Sequence, residues 1–424
     1  MSEVYKFGGA SIKDAEGIKN LAEIIRLTNN KQLLVVVSAM GKTTNALEAL
    51  ATAYQSQRQD THQMLDEIKA YHEDIMLELF GNDNQAAFDD VANAFVEIEW
   101  ILEEDPHDDF DYTYDQIVSL GEVVSSKIVN AYLNSTGIGS RWLDARGFIH
   151  TDNTYREGKV NWDKTQTAIL SQLPAILEKQ VAVTQGFIGG TSENFTTTLG
   201  REGSDYTAAI FASCLKADSV TIWKDVPGVL NADPKWFDET ELMPHLTYHD
   251  AIELTYYGAT VIHPKTIKPL QNKSIPLHVR SFIHHGAPGT VISDDEKARH
   301  VPSFIFKVDQ VLISILPKDY SFIIEESLSH IFDILHSNRV KVNTMLNSAL
   351  SFSICVDNSP EKIKKLIAEL SSTYKVVFNE GLELVTIRYY NQETIDRVTT
   401  NKSVLLEVKS RHTCQMVMKN LPIG

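Results

Sequence analysis

Near the start of the chain a lysine is followed by two glycines, in Lys6-Phe7-Gly8-Gly9-Ala10-Ser11, between an apolar run and a helical pattern. An ammonium group beside bare backbone suits a phosphate chain. Glycine lets the backbone come close, and a helix start offers N–H groups and a positive dipole end. Lys6 would then neutralise charge on a transferring group. A glycine pair also serves plain strand-to-helix turns, so this motif does not decide the matter alone. A second polar turn, Ser38-Ala39-Met40-Gly41-Lys42-Thr43-Thr44-Asn45, follows the next apolar run. It lacks the glycine spacing of a Walker loop. Its hydroxyls could hold a small polar substrate at the C-terminal end of a sheet strand, or Thr43 or Thr44 could simply cap a helix. The third cluster, Thr196-Thr197-Thr198-Leu199-Gly200-Arg201-Glu202-Gly203-Ser204-Asp205-Tyr206, reads as an anion-handling loop. Arg201 offers a fork matched to carboxylate or phosphate. Ser204 or Asp205 alone could be an N-cap, but capping does not account for the whole set. In the fourth, Trp223 to Lys235, a strand ends in Lys224-Asp225 and Val-Pro-Gly turns the chain. Lys224 and Lys235 would suit nucleotide phosphates, and a surface type II turn at Pro227-Gly228 is the plainer alternative. Glu122, in Ser119-Leu120-Gly121-Glu122, precedes a helical run and by itself says little, because most glutamates are solvated.

Positioning these groups requires a scaffold, and the apolar pattern describes one. Val4–Phe7, Leu33–Ser38, Val181–Thr184 and Val220–Trp223 read as buried strands, and Ala15–Thr28, Ser204–Leu215 and His249–Tyr257 as helices. This alternation predicts a doubly wound α/β layer with a largely parallel central sheet. Residues 61–135 read as a helical lobe beside it. The acidic run Glu103 to Asp109 reads as a solvated loop between helices. The turn-rich, charged stretch 284–303 is the expected boundary between a catalytic domain, 1–295, and a C-terminal region, 303–424. Beyond it the pattern is strand Phe304–Leu316, helix Ile323–His336, strand Leu350–Val356, helix Pro360–Tyr374 and strand Val376–Tyr390. A short helical piece and one final strand, Val404–Met418, follow. This is an α+β unit with a shortened second copy.

A chain of 424 residues exceeds one ordinary core, which predicts more than one domain. The net charge of −17 argues against nucleic-acid or anionic-membrane partners, which need a basic face. Cys214, Cys355 and Cys414 lie far apart without metal spacing and read as reduced thiols. Together with an N-terminus lacking a signal-peptide pattern and apolar runs too short to span a membrane, they predict a cytoplasmic protein.

The four clusters together resemble the aspartokinase family. The matching stretches are Lys6–Ser11, Val36–Asn45, Gly121–Ser126, Asp144–Asp152, Thr184–Gly189, Thr196–Ala209, Ile222–Pro234 and Tyr257–Pro264, in order across the first 290 residues. The C-terminal part resembles that family's paired ACT-type regulatory domains. The resemblance implies an amino-acid-kinase-type three-layer sandwich followed by an ACT-like region. It implies transfer of a phosphoryl group from MgATP to L-aspartate, giving 4-phospho-L-aspartate, the entry step to lysine, threonine and methionine. Lys6, Gly8 and Gly9 would meet the ATP phosphates. Ser38, Thr44, Glu122, Phe187, Arg201 and Ser204 would line the aspartate site, with Arg201 on the α-carboxylate and Glu122 on the α-ammonium. Asp205 would orient Lys6. Lys224, Asp225, Leu230, Lys235 and the Thr260–Val261 turn would lie at the nucleotide. Mg²⁺ would come with ATP, and no metal ligand of the chain's own is singled out.

The sequence also departs from the family. Glu202 stands where a glycine is usual, Lys224 where threonine is frequent, Leu230 where tyrosine is usual and Thr260 where lysine is common. The effector turn Pro317-Lys318-Asp319-Tyr320-Ser321-Phe322 has no glycine, and Asn343 replaces an aspartate of lysine-sensitive forms. The first four changes bear on the nucleotide site; the C-terminal ones, with the shortened second unit, imply weak or absent inhibition by lysine and a regulatory half serving mainly a homodimer. Kinases of the same family acting on glutamate, acetylglutamate, carbamate or a nucleoside monophosphate are the nearest alternative, and a catalytically dead amino-acid sensor is another. With the sequence ending at Gly424, no fused homoserine dehydrogenase is expected.

Overall fold

A computed structural model describes residues 2–28, 32–237, 239–259, 262–295, 300–319 and 321–421. By contacts the chain divides into two units. The first comprises residues 1–229, 242–252 and 261–298, and the second residues 230–241, 253–260 and 299–424.

The first unit contains strands β1 (Ser2–Phe7), β2 (Gln32–Val37), β3 (Ser140–Leu143), β4 (Val181–Gln185), β5 (Ile188–Gly190), β6 (Thr196–Thr198), β7 (Ser219–Lys224), β8 (His245–Thr247), β9 (Leu277–Ser281) and β10 (Thr290–Ser293). Eight of them form one sheet in the order β3-β4-β2-β1-β7-β9-β10-β8, and β5 and β6 form a separate hairpin. Every neighbouring pair in the large sheet is parallel except β9 and β10. The central strands are apolar on both faces because both faces are covered. Tyr5, Phe7, Val35, Val37 and Val183 pack with α1 (Ala15–Leu27) and α6 (Leu120–Ser135). The alternating residues Val4, Leu34, Val36 and Ala182 are fully buried on the other side, where α7 (Trp162–Leu177) and α8 (Gly203–Leu215) lie against the sheet. The result is the expected three-layer sandwich.

Helices α2 (Thr43–Gln55), α3 (Thr61–Phe80), α4 (Gln85–Glu103) and α5 (Phe110–Val118) complete the helical lobe with α6. The acidic run is an exposed loop between α4 and α5, where Asp109 caps α5 by accepting from the backbone N–H of Asp111. Helices α9 (Tyr248–Tyr257) and α10 (Pro264–Gln271) follow β8.

The second unit is built on an antiparallel sheet of β11 (Ser303–Pro317), β12 (Val342–Asn347), β13 (Phe352–Asp357), β14 (Tyr374–Arg388), β15 (Lys402–Lys409) and β16 (Thr413–Asn420), in the order β12-β13-β11-β14-β16-β15. Helices α11 (Glu325–Ser337) and α12 (Pro360–Thr373) bury Ile331, Leu335, Leu366 and Leu370 against Val311, Ile313 and Ile354. The short α13 (Gln392–Thr399) is held by a capping box between Asn391 and Thr394. This is the α+β architecture expected of the ACT-like region. The single final strand expected over Val404–Met418 is instead the hairpin β15–β16, because Ser410-Arg411-His412 turns the chain and the Thr413 N–H bonds the Ser410 hydroxyl. Phe237 stacks on Phe304 at 4.7 Å, which ties residues 230–241 to this unit.

Candidate active site

The C-terminal ends of the central parallel strands open onto a cleft of about 570 Å³, within the range of small-molecule sites. It is lined by Lys6, Ser38, Thr44, Glu122, Phe187, Arg201, Ser204, Asp205 and Lys224, all anticipated from the sequence, and by Tyr114, Arg156, Glu157, Thr198, Gly200, Glu202 and Gly203. Residues remote in sequence meet because β1, β2, β4 and β7 are adjacent in the sheet and end together.

At its floor, Lys6 from β1 pairs with Asp205 in the first turn of α8, with Nζ 2.6 Å from Oδ1. Lys224 Nζ, from the end of β7, lies 3.7 Å from Oδ2 of the same carboxylate. Burial alone would push the Asp205 carboxyl up, but the two lysines outweigh it and hold the group below its ordinary value. Two ammonium groups are thus fixed by one carboxylate at the positive end of a helix, an arrangement with surplus positive potential for a phosphoryl group.

Helix α1 begins at Ala15, where the apolar pattern puts it, so the glycine pair lies in the turn ahead of the helix, and the helix N-terminus is already occupied by Asp14, which accepts from the Gly17 N–H. A side chain on Gly8 would meet Lys6 Nζ only at an ordinary contact distance of 3.6 Å. One on Gly9 would collide with the carbonyl oxygen of Ala39, so Gly9 packs the first turn onto the second. The helix end that does face the cleft belongs to α8. Its N-cap is Glu202, in the left-handed region at φ 53°, rather than Ser204 or Asp205. The glycine usual in this position would adopt that backbone freely. Here the Glu202 side chain accepts from the His263 N–H at 2.9 Å.

Beside the lysines, Glu122 is 2% exposed. Its Oε1 accepts a long 3.3 Å bond from the Ala39 N–H, while Oε2 is buried and has no partner among the described residues. Burial pushes its carboxyl up to about 8, against the Ala39 N–H and the Lys6 charge. Gly121 makes this placement feasible, since a side chain there would crowd Ala39, Thr43 and Leu47. Of the two threonines, neither is the cap of α2, which starts at Thr43 after Lys42. Thr43 turns inward to His72, 3.4 Å away, and Thr44 faces the cleft. Arg201 is exposed at the rim.

Sequence reading missed the opposite wall. Asp115 is buried and accepts from the Arg156 N–H at 2.8 Å, the Thr198 N–H at 2.8 Å and the Thr198 hydroxyl at 2.7 Å. Burial pushes its carboxyl up to about 6 in spite of these bonds. Arg156, at φ 63°, lays its guanidinium 4.1 Å over the Tyr114 ring. The polar run Thr154-Tyr155-Arg156-Glu157-Gly158 was the available signal.

Asp225 and Lys235 are exposed and Leu230 is half-buried, and none of the three lines the cleft. Leu230 and Lys235 belong to the second unit. Thr260 and Val261 lie outside the described residues.

The amino acid kinase family model matches residues 1–281. The lysine-sensitive aspartokinase 3 of Escherichia coli is 30% identical over 405 residues, covering 91% of this chain and 87% of that protein. A bifunctional aspartokinase/homoserine dehydrogenase 2 of Arabidopsis thaliana is 32% identical over 300 residues, and the match takes in 32% of that relative, so the chain spans about a third of its length. Among solved structures, E. coli aspartokinase III in complex with aspartate and ADP superposes with a TM-score of 0.80 at 26% identity, covering 98% of this chain and 96% of that one. With one family model accounting for most of its length and an E. coli aspartokinase aligned along nearly all of it, the chain belongs to the amino acid kinase family, among the aspartokinases.

Proposed function

We propose that the chain is an aspartate kinase, transferring the γ-phosphoryl group of ATP to the β-carboxylate of L-aspartate to give 4-phospho-L-aspartate and ADP. The observation that carries this reading is Glu122. A buried carboxylate with one oxygen unpartnered is costly unless a cation meets it, and an α-ammonium group is such a cation. Arg201 at the rim suits the α-carboxylate, which leaves the side-chain carboxylate directed at the Lys6–Asp205–Lys224 floor. The complex of the E. coli relative with aspartate and ADP supports the same pair of ligands.

The acceptor carboxylate is already ionised at neutral pH, so the reaction needs alignment and charge neutralisation rather than a general base. Lys6, oriented by Asp205, meets the charge that develops as the carboxylate oxygen attacks the γ-phosphorus and the ADP oxygen leaves. Lys224 adds a second positive charge on the leaving side. Both oxygens of Asp205 already face lysines. This fits a Mg²⁺ carried chiefly by phosphate oxygens and water, where it would supply further charge neutralisation. Residues 1–295 would then act as the catalytic domain and 303–424 as the regulatory, homodimer-forming region. Exposed Met345 and Leu346 on the edge strand β12 suit such pairing. No helix among the described residues is long and apolar enough to cross a membrane.

The test is ADP release from MgATP with a panel of acceptors: aspartate, glutamate, acetylglutamate, carbamate and uridine monophosphate. Turnover with aspartate well above the others is expected. Turnover with another member instead, or with none, would overturn the assignment.

A further inference from the structure

The central sheet has a second cavity on the face opposite Lys6. Side chains alternate along a strand, so Tyr5 and Trp223 point away from the cleft that their neighbours Lys6 and Lys224 line. They help enclose a space of about 460 Å³ between the sheet and the end of α1. The two rings meet edge to face at 5.7 Å, and with Ile24 they give it an apolar wall.

The Thr28 hydroxyl of this cavity is matched, by the Ile24 carbonyl and the Tyr5 hydroxyl, but three of its nitrogens are not. Trp223 is 3% exposed, yet its indole N–H has no partner among the described residues. Arg280 is the register partner of Trp223 on the adjacent parallel strand, so its side chain leaves the sheet beside the indole. Its Nε–H is likewise buried and unpartnered, as is Nδ1 of His285. Buried indole N–H groups ordinarily find an acceptor, and indole and guanidinium nitrogens can only donate. Two buried donors left side by side without a bonded acceptor describe a place for an anion. Glu3 lines the same cavity and contributes the opposite charge.

We propose that this cavity binds a small zwitterion, an α-amino acid with an apolar side chain. Arg280 and Trp223 take its carboxylate, Glu3 takes its ammonium group, and Ile24 and the Tyr5 ring cover the side chain. The pairing gives the unpartnered Trp223 and Arg280 nitrogens an acceptor and Glu3 a cation, which a simple phosphate or an uncharged apolar molecule does not. It also places the ligand across the sheet from the phosphoryl-transfer cleft, outside the reacting groups.

Isothermal titration of the full chain with L-leucine tests this, alongside 4-methyl-2-oxopentanoate, which lacks the ammonium group, and 3-methylbutylamine, which lacks the carboxylate. Saturable leucine binding is expected, with each analogue weaker by roughly tenfold or more, since each loses a charge-assisted contact. Arg280→Gln should weaken leucine by a similar factor while the melting temperature stays unchanged. If that variant does not fold, Leu27→Trp, which fills the cavity mouth and spares the donors, should do the same. Absence of leucine binding would overturn the proposal, as would binding indifferent to both variants. Equal binding of the oxo acid would overturn the amino-acid assignment.

Discussion

The perturbed carboxyl of Glu122 makes aspartate binding a proton-releasing event. With a value of about 8 in the unliganded chain, roughly 90% of Glu122 is protonated at pH 7. An ammonium group is held by the ionised form, so binding must expel that proton. The cost at pH 7 is a factor of about ten in affinity, or ~1.4 kcal/mol, and about a hundredfold at pH 6. The dissociation constant for aspartate should therefore fall about tenfold per pH unit between 6 and 8 and then level. Calorimetric titrations at pH 7 in buffers of different ionisation enthalpy should report ~0.9 proton released per aspartate. Glu122→Gln should bind aspartate more weakly at pH 8 and lose both the slope and the proton release. Release below about 0.2 proton at pH 7, or the same slope in Glu122→Gln, would refute the placement of the substrate ammonium on Glu122. The stability of the unliganded chain runs the other way. Because the folded value lies above the ordinary 4.5, the contribution of neutral Glu122 is present at low pH and is lost as the pH rises through 8.

The other expectations follow from the same cleft and from the C-terminal sheet. Lys6→Ala should lower kcat by about 10²-fold or more, since its charge acts where charge develops, and near-normal kcat in a folded variant would remove it from the mechanism. Arg201→Ala should raise KM for aspartate far more than KM for ATP, and a selective rise in the ATP value would mean the two sites are interchanged. Sedimentation at micromolar concentration should show a dimer that is lost when residues beyond about 300 are removed, whereas a monomeric full chain would count against pairing there. Lysine titrated at sub-saturating aspartate should inhibit weakly or not at all, because Asn343 lacks an anionic charge and its side chain is already engaged by Lys307, Gln310 and Asp357; strong inhibition below millimolar lysine would contradict this.

The strands and helices that carry Lys6, Asp205 and Lys224 were legible because both faces of a parallel sheet are apolar and glycine or hydroxyl residues punctuate its ends. Those signals are local. The requirement for glycine at position 9 was not legible, since it depends on where the Ala39 carbonyl lies, 30 residues away in sequence. Nor was the Asp115 clamp, because a lone aspartate in a helix has no pattern until Arg156 and Thr198 are brought to it. The hairpin β15–β16 was read as one strand because Ser410-Arg411-His412 contains neither glycine nor proline. Glu202 was noticed only as a departure from glycine, and the left-handed backbone that makes glycine usual there became visible only in the fold.

The Asp115 clamp gathers three stretches of chain, from α5, from the 150s loop and from β6, onto one carboxylate. Withdrawing the Asp115 side chain would release both the Arg156 N–H and the Thr198 N–H, so their exchange with deuterium is expected to rise together in Asp115→Asn. The floor built on Lys6 and Asp205 is anchored separately, by the central sheet and α8. The two walls of the cleft are thus tied to different parts of the scaffold, so loosening the Asp115 clamp would leave the Lys6–Asp205 pair in place.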